Sequence, residues 1–217
     1  MDEMTKKYVR EKIRIQIADG LEKEGFKYVK SNERIMRQHK SGFDVIYITV
    51  IDYYPIFQIE FGISIRLDAV EEIVNQFLDE NFINPKGKRY TTTIGASYRM
   101  LSNTQHNYIE IKNEDELNEA ICQLITLIGT KGLSFLEKYH DINLVNEVNK
   151  KQLLIPNNYV CYIPHNIMQS LALLKLCDDP DFDALKLKYK ELYMTWEGHN
   201  DKGKKAIDDL ITYLENM

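Results

Sequence analysis

Between Phe57 and Ile65 the chain alternates without a break. Phe57, Ile59, Phe61, Ile63 and Ile65 take one side of an extended segment, and Gln58, Glu60, Gly62 and Ser64 take the other, with Arg66 next on the polar side. An apolar side chain at every second position marks a strand that buries one face. Each of the five apolar side chains withdrawn from water stabilises by about 1.5–3 kcal/mol before chain entropy is set against it. Their sum is on the scale of a domain's net stability, roughly 5–15 kcal/mol. A chain with this segment must therefore supply a sheet and a covering layer.

The flanking sequence supplies both. Val9, Ile13, Ile17 and Leu21 recur every fourth residue and predict a helix over 5–24, with Gly25 at its stop. Short strands are expected around 26–30 and 33–39. A turn at Lys40-Ser41-Gly42 leads to a strand over 43–51 that is apolar on both parities, as a centrally buried strand would be. Asp68 and Glu71 have the spacing of a capping pair ahead of the Val70, Ile73, Val74, Phe77 and Leu78 stripe. A second alternation, Tyr90 to Met100, reads as another long strand, and 108–112 as a shorter one. Asn113 with Glu116 opens a helix that Gly129 and Gly132 interrupt. Further helical turns over 133–139 and 142–148 and a connection over Pro156 to Pro164 precede three helices, about 167–177, 181–196 and 204–215. The expected class is α+β: a mainly antiparallel sheet of five or six strands packed by helices, followed by an all-helical C-terminal part. The division expected is 1–152 for the α+β domain and 153–217 for the helical extension, packed together as one unit.

The totals narrow the function. Across 217 residues, 44% hydrophobic and 28% charged residues describe a globular chain, and the net charge of -5 provides no basic footprint for a nucleic-acid backbone. Three widely spaced cysteines, Cys122, Cys161 and Cys177, suit a reducing compartment rather than a disulfide framework. The first residues run straight into charge, and the uncharged stretch between Lys151 and Lys175 is broken by prolines and asparagines. A cytoplasmic location without a membrane segment is expected.

The chemical motifs are few. Asp179, Asp181 and Asp183 have calcium-loop spacing, but Ala184 and Lys190 stand where a Gly and a bidentate Glu are required, so acidic residues at a helix start explain them. Gly129-Thr130-Lys131-Gly132 follows a helix rather than a strand, unlike a phosphate loop. None of the five histidines is paired at helical metal-ligand spacing, and no metal or cofactor is expected. One arrangement combines the two strands: Glu60 and Arg66 on the polar side of the first, and Arg89 and Arg99 on the polar side of the second, around the small residues Gly62, Ser64, Gly95 and Ser97. Such a trough offers guanidinium groups to a carboxylate or phosphate. The competing expectation is a C-terminal helix packed closely over Gly62 and Gly95, with the arginines at its rim.

The order helix, Glu24-Gly25-Phe26, a strand bearing Arg37, Phe61-Gly62-Ile63, then Gly132-Leu133-Ser134-Phe135-Leu136 resembles an uncharacterised bacterial family classed as a domain of unknown function. The likeness covers roughly residues 10–140. It departs in the second strand, where Arg34-Ile35-Met36-Arg37 replaces an aromatic-Tyr-Arg signature. The resemblance implies an intracellular α+β protein and transfers no catalytic residue. The functional expectation is a non-enzymatic protein-interaction module, immunity or antitoxin-like, with a protein partner that is cationic. The alternative is a small anionic-ligand binder or an enzyme using the arginine-flanked sheet face.

Overall fold

The computed structural model describes residues 4–78, 87–153 and 163–217. Six strands are present among them: β1 (Lys27–Val29), β2 (Arg34–His39), β3 (Gly42–Tyr53), β4 (Ile56–Leu67), β5 (Ile94–Ser97) and β6 (Tyr108–Ile111). The helices are α1 (Lys6–Gly20), α2 (Asp68–Phe77), α3 (Tyr98–Ser102), α4 (Glu114–Leu127), α5 (Leu133–Lys138), α6 (Ile142–Leu153), α7 (Ile163–Leu176), α8 (Phe182–Thr195) and α9 (Asp201–Glu215). The protein is α+β, with a six-stranded sheet in the order β1-β2-β3-β4-β5 and β6 beside β4. Its contacts group 1–65 with 94–138 in one compact unit, and 66–93 with 139–217 in a second.

In the first unit the alternation of β4 is realised as read. Phe57, Ile59, Phe61, Ile63 and Ile65 are between 0 and 4% exposed, while Gln58, Glu60, Gly62 and Ser64 are half-buried. One edge of β4 adjoins β3 across the two-residue turn Tyr54-Pro55, whose peptide bond is cis. The other edge is shared: Phe57 to Glu60 pair antiparallel with Ile111 to Tyr108, and Gly62 to Ile65 with Ser97 to Ile94. β5 and β6 therefore lie end to end along one strand. β3 is buried on both parities only over Phe43–Ile46; beyond that Ile48 and Val50 stay buried and Thr49 is exposed.

The long strand expected over 90–100 shrinks to the four residues of β5, with a 3-10 turn at Lys88–Tyr90 before it and α3 directly after it. Thr91 and Thr93 leave the ladder because their buried hydroxyls bind side chains of the second unit, to which they belong. Gly95 is required by its neighbour strand rather than by a covering helix. A Cβ there would lie 2.8 Å from the Ile63 carbonyl oxygen and against the Ser64 side chain.

α1 is capped by Thr5, whose hydroxyl accepts from the Tyr8 N–H at 3.2 Å, and it buries Val9, Ile13 and Ile17. It ends at Gly20, earlier than the pattern suggested. A 3-10 turn over Glu22–Glu24 then reaches Gly25 at φ +84°, a left-handed conformation that favours glycine. Gly129 and Gly132 do not break the next helix. Residues Ile128–Gly132 widen into a π-turn, so that α4 and α5 form one 25-residue helix, Glu114–Lys138. Its length and composition would suit a bilayer, and in this unit its stripe of Leu117, Ala120, Ile121, Leu124, Ile128 and Leu136 is buried, with α1 and β6 packed against α4.

The second unit is built around α7. Ile167, Met168, Leu171, Ala172, Leu173 and Leu174 are all fully buried, the signature of a helix covered all round, and α2, α6, α8 and α9 pack on it. α7 starts at Ile163, so Pro164 belongs to its first turn, where a missing N–H costs no hydrogen bond. The rest of the expected Pro156 to Pro164 connection lies outside the described residues. The Tyr193 hydroxyl on α8 accepts from the Asn200 N–H at 3.0 Å and donates to the Asn200 carbonyl at 3.1 Å, and Asn200 in turn caps α9.

Replacing Ile59 by Asp places an unpaired charge at a fully buried site and is expected to abolish cooperative thermal unfolding followed by circular dichroism. Gln58→Lys, one residue away and opposite Glu110, is expected to keep the wild-type transition within about 1 kcal/mol.

Candidate functional site

The four residues expected to border a trough divide between the two units. Glu60 lies half-buried on β4 opposite Tyr108, and Arg99 is exposed on α3, both in the first unit. Arg66 and Arg89 belong to the second. Arg89 is exposed in the 3-10 turn, so neither it nor Arg99 stands on a strand face. Arg66 is 6% exposed. Its Nε donates to Asp68 Oδ1 at 2.5 Å, and its Nη1 donates to the Lys88 carbonyl at 3.1 Å, the Thr91 carbonyl at 3.2 Å and the Thr91 hydroxyl at 2.8 Å. It ties the end of β4 to the 88–91 segment.

Beside it lies a polar centre where the Asp68–Glu71 spacing predicts a cap. Leu67, not Asp68, is the N-cap of α2, and no side chain caps it. Glu71 points inward and is fully buried. Its Oε1 accepts from the Thr93 hydroxyl at 2.8 Å and from Gln169 Nε2 at 2.5 Å, and His165 Nε2 lies 3.2 Å from its Oε2. Gln169 also donates to the Thr92 carbonyl at 2.9 Å, and the Thr93 hydroxyl accepts from the Leu67 N–H at 3.0 Å. One carboxylate therefore joins α2, α7 and the 91–93 segment. Burial is the largest influence on Glu71 and pushes its carboxyl up. Hydrogen bonding and charge attraction from His165, with hydrogen bonds from the neighbouring threonines, outweigh it and hold the carboxyl below its ordinary value. The available signal was His165 and Gln169, four apart on one face of a charge-free helix start.

The remaining polar clusters are also internally joined. Lys150 Nζ bridges Asp179 at 2.9 Å and Asp181 at 2.7 Å, and Lys186 holds Asp183 at 2.6 Å, so the spaced aspartates are bound by ammonium groups. In the first unit Arg37 clasps fully buried Asp44 through Nε at 2.8 Å and Nη2 at 2.7 Å, with its guanidinium 4.9 Å from the Phe26 ring. Cys122 is exposed, Cys177 is half-buried, and Cys161 lies outside the described residues.

A different kind of feature occupies the β3–β4 turn. Tyr53 and Tyr54 are 58% and 77% exposed, and the turn is braced by Asp52, whose Oδ1 accepts from the Tyr54 N–H at 3.0 Å. The strands behind it are anchored by the buried side of β4. The Phe57–Ile111 pairing sets Lys112 and the first turn of α4 at the same end of β4 as this turn. Large aromatic surface left in water at the β3–β4 turn is the strongest candidate for a functional surface in the first unit. No family model matches the chain, and neither the curated proteins nor the solved structures contain a match to it.

The depressed Glu71 carboxyl has a definite pH consequence. Its unfolded-state value is about 4.3 and its folded value is lower, so its stabilising contribution is present above that range and is lost as pH falls through the folded value. Thermal melts between neutral and acidic pH are expected to show Glu71→Gln with a shallower acid decline than wild type. Thr93→Val, which removes one buried donor, is expected to cost about 1–3 kcal/mol at neutral pH.

Proposed function

We propose that the chain is a non-enzymatic protein-interaction module that engages its partner through the Tyr53-Tyr54 turn. The observation that carries this reading is the exposure of the two adjacent tyrosines on a turn braced by Asp52 and continued by two 12-residue strands. Tyrosine supplies large contact area with few rotors, and a prefixed turn leaves little backbone entropy to lose on association. Anchoring aromatics of this type dominate binding energy in protein interfaces. An immunity or antitoxin-like role, in which the module masks a second protein, is one form of the same reading. The anion-binding alternative has less support, because Arg66 would have to release Asp68, Thr91 and the Lys88 carbonyl before it met a ligand.

The test is affinity capture from the cells that express the protein, followed by titration of the captured partner against wild type and a Tyr53→Ala, Tyr54→Ala double variant. Wild type is expected to capture a stoichiometric partner. The double variant should bind it about thirtyfold more weakly, the loss of about 2 kcal/mol expected for an aromatic anchor, with an unchanged melting temperature. Equal affinity of the two proteins would overturn the reading.

A further inference from the structure

We infer that the partner presents a Lys- and Arg-rich surface to this end of the first unit, an inference that rests on the reading of the Tyr53-Tyr54 turn as the docking element. Three exposed carboxylates stand at the same end of β4. Asp52 precedes the tyrosines, Glu110 lies on β6 opposite Gln58, and Asp115 is in the first turn of α4, one residue after Glu114. Among the described residues, none of these three carboxylates is paired with a cation. Asp52 Oδ1 accepts the Tyr54 N–H and Glu110 accepts Gln58 Nε2 at 3.1 Å, both neutral donors. Glu114 and Glu116 add negative charge but are engaged within the unit. Glu114 binds Lys12 and the Tyr8 hydroxyl, and Glu116 accepts from the Lys112 N–H at 2.7 Å. Lys112 is the one ammonium in the run from β6 through the first turn of α4.

Two separate chemistries thus select the same occupant. The faces of Tyr53 and Tyr54 carry negative quadrupole potential that attracts ammonium and guanidinium groups. The carboxylates that lack cations can form charge-assisted hydrogen bonds with the same groups. A neutral or acidic partner would leave those carboxylates desolvated without compensation. The net charge of -5 favours the approach of a cation at long range.

Two measurements separate this inference from the reading beneath it. In the first, the isotope-labelled protein is titrated with octalysine and, as a control, octaglutamate, and amide shifts are recorded. Octalysine is expected to move the amides of residues 52–54, 110–112 and 114–116, octaglutamate to leave them in place, and added salt to remove the effect. In the second, the captured partner is titrated against a triple variant, Asp52→Asn, Glu110→Gln and Asp115→Asn, which keeps the Asp52 acceptor and removes three charges. The triple variant is expected to bind at least about tenfold more weakly and with a shallower salt dependence than wild type. If the triple variant binds like wild type while the tyrosine variant does not, the cationic partner is overturned and the interaction reading stands. Loss of neither affinity overturns both. Self-association that disappears in the tyrosine variant would make a second copy the occupant and would also overturn the inference.

Discussion

Strand β4 has to satisfy two faces and two edges at once, and the first unit is arranged around that requirement. Its five inward side chains are buried, and because the side-chain period is two, a shift of one residue in pairing would turn all five to solvent. Its backbone polar groups need partners on both edges as well. β3 meets one edge, while β5 and β6 divide the other, with α3 making an excursion between them. Splitting the outer neighbour into two four-residue strands also shortens the free edge beyond it, which limits pairing with other chains. The orientation of the Tyr53-Tyr54 turn is inherited from this arrangement.

The same local pattern had two different outcomes, and the contrast shows where sequence reading stops. Asn113 and Glu116 behave as their spacing predicts: the Asn113 side chain accepts from the Glu116 N–H at 2.9 Å, and the Glu116 carboxylate accepts from the Lys112 N–H. Asp68 and Glu71 have the same spacing but do something else, because Glu71 faces α7 and the threonines instead of water. A buried carboxylate is tolerable only when donors converge on it. Those donors come from residues 22 and 98 positions away in sequence. No window short enough to define a cap contains them.

Elsewhere, legibility followed the same division between local and distant causes. The β4 alternation, the α1 and α4 stripes and the helical C-terminal part were readable because burial of one face leaves a periodic trace. The 90–100 alternation was misleading because threonine fits a strand pattern and also serves as a hydroxyl donor. Thr91 and Thr93 are held by Arg66 and Glu71 rather than by a ladder. Arg66 continued the polar side of β4 on paper, yet it is buried where the strand passes into the second unit and its guanidinium binds the 88–91 segment. Arg89 and Arg99 stand in helical turns rather than on a strand.

Exposed tyrosines on a turn would ordinarily invite self-association, and the surrounding charge bears on why they can be kept in water. Two copies meeting turn to turn would bring Asp52, Glu110 and Asp115 of one chain toward the same carboxylates of the other. Like charges brought together during desolvation cost several kcal/mol. A cationic surface reverses the sign of that cost while leaving the aromatic contact area unchanged. Affinity for such a partner and resistance to self-pairing would then come from the same three side chains, one each on β3, β6 and α4.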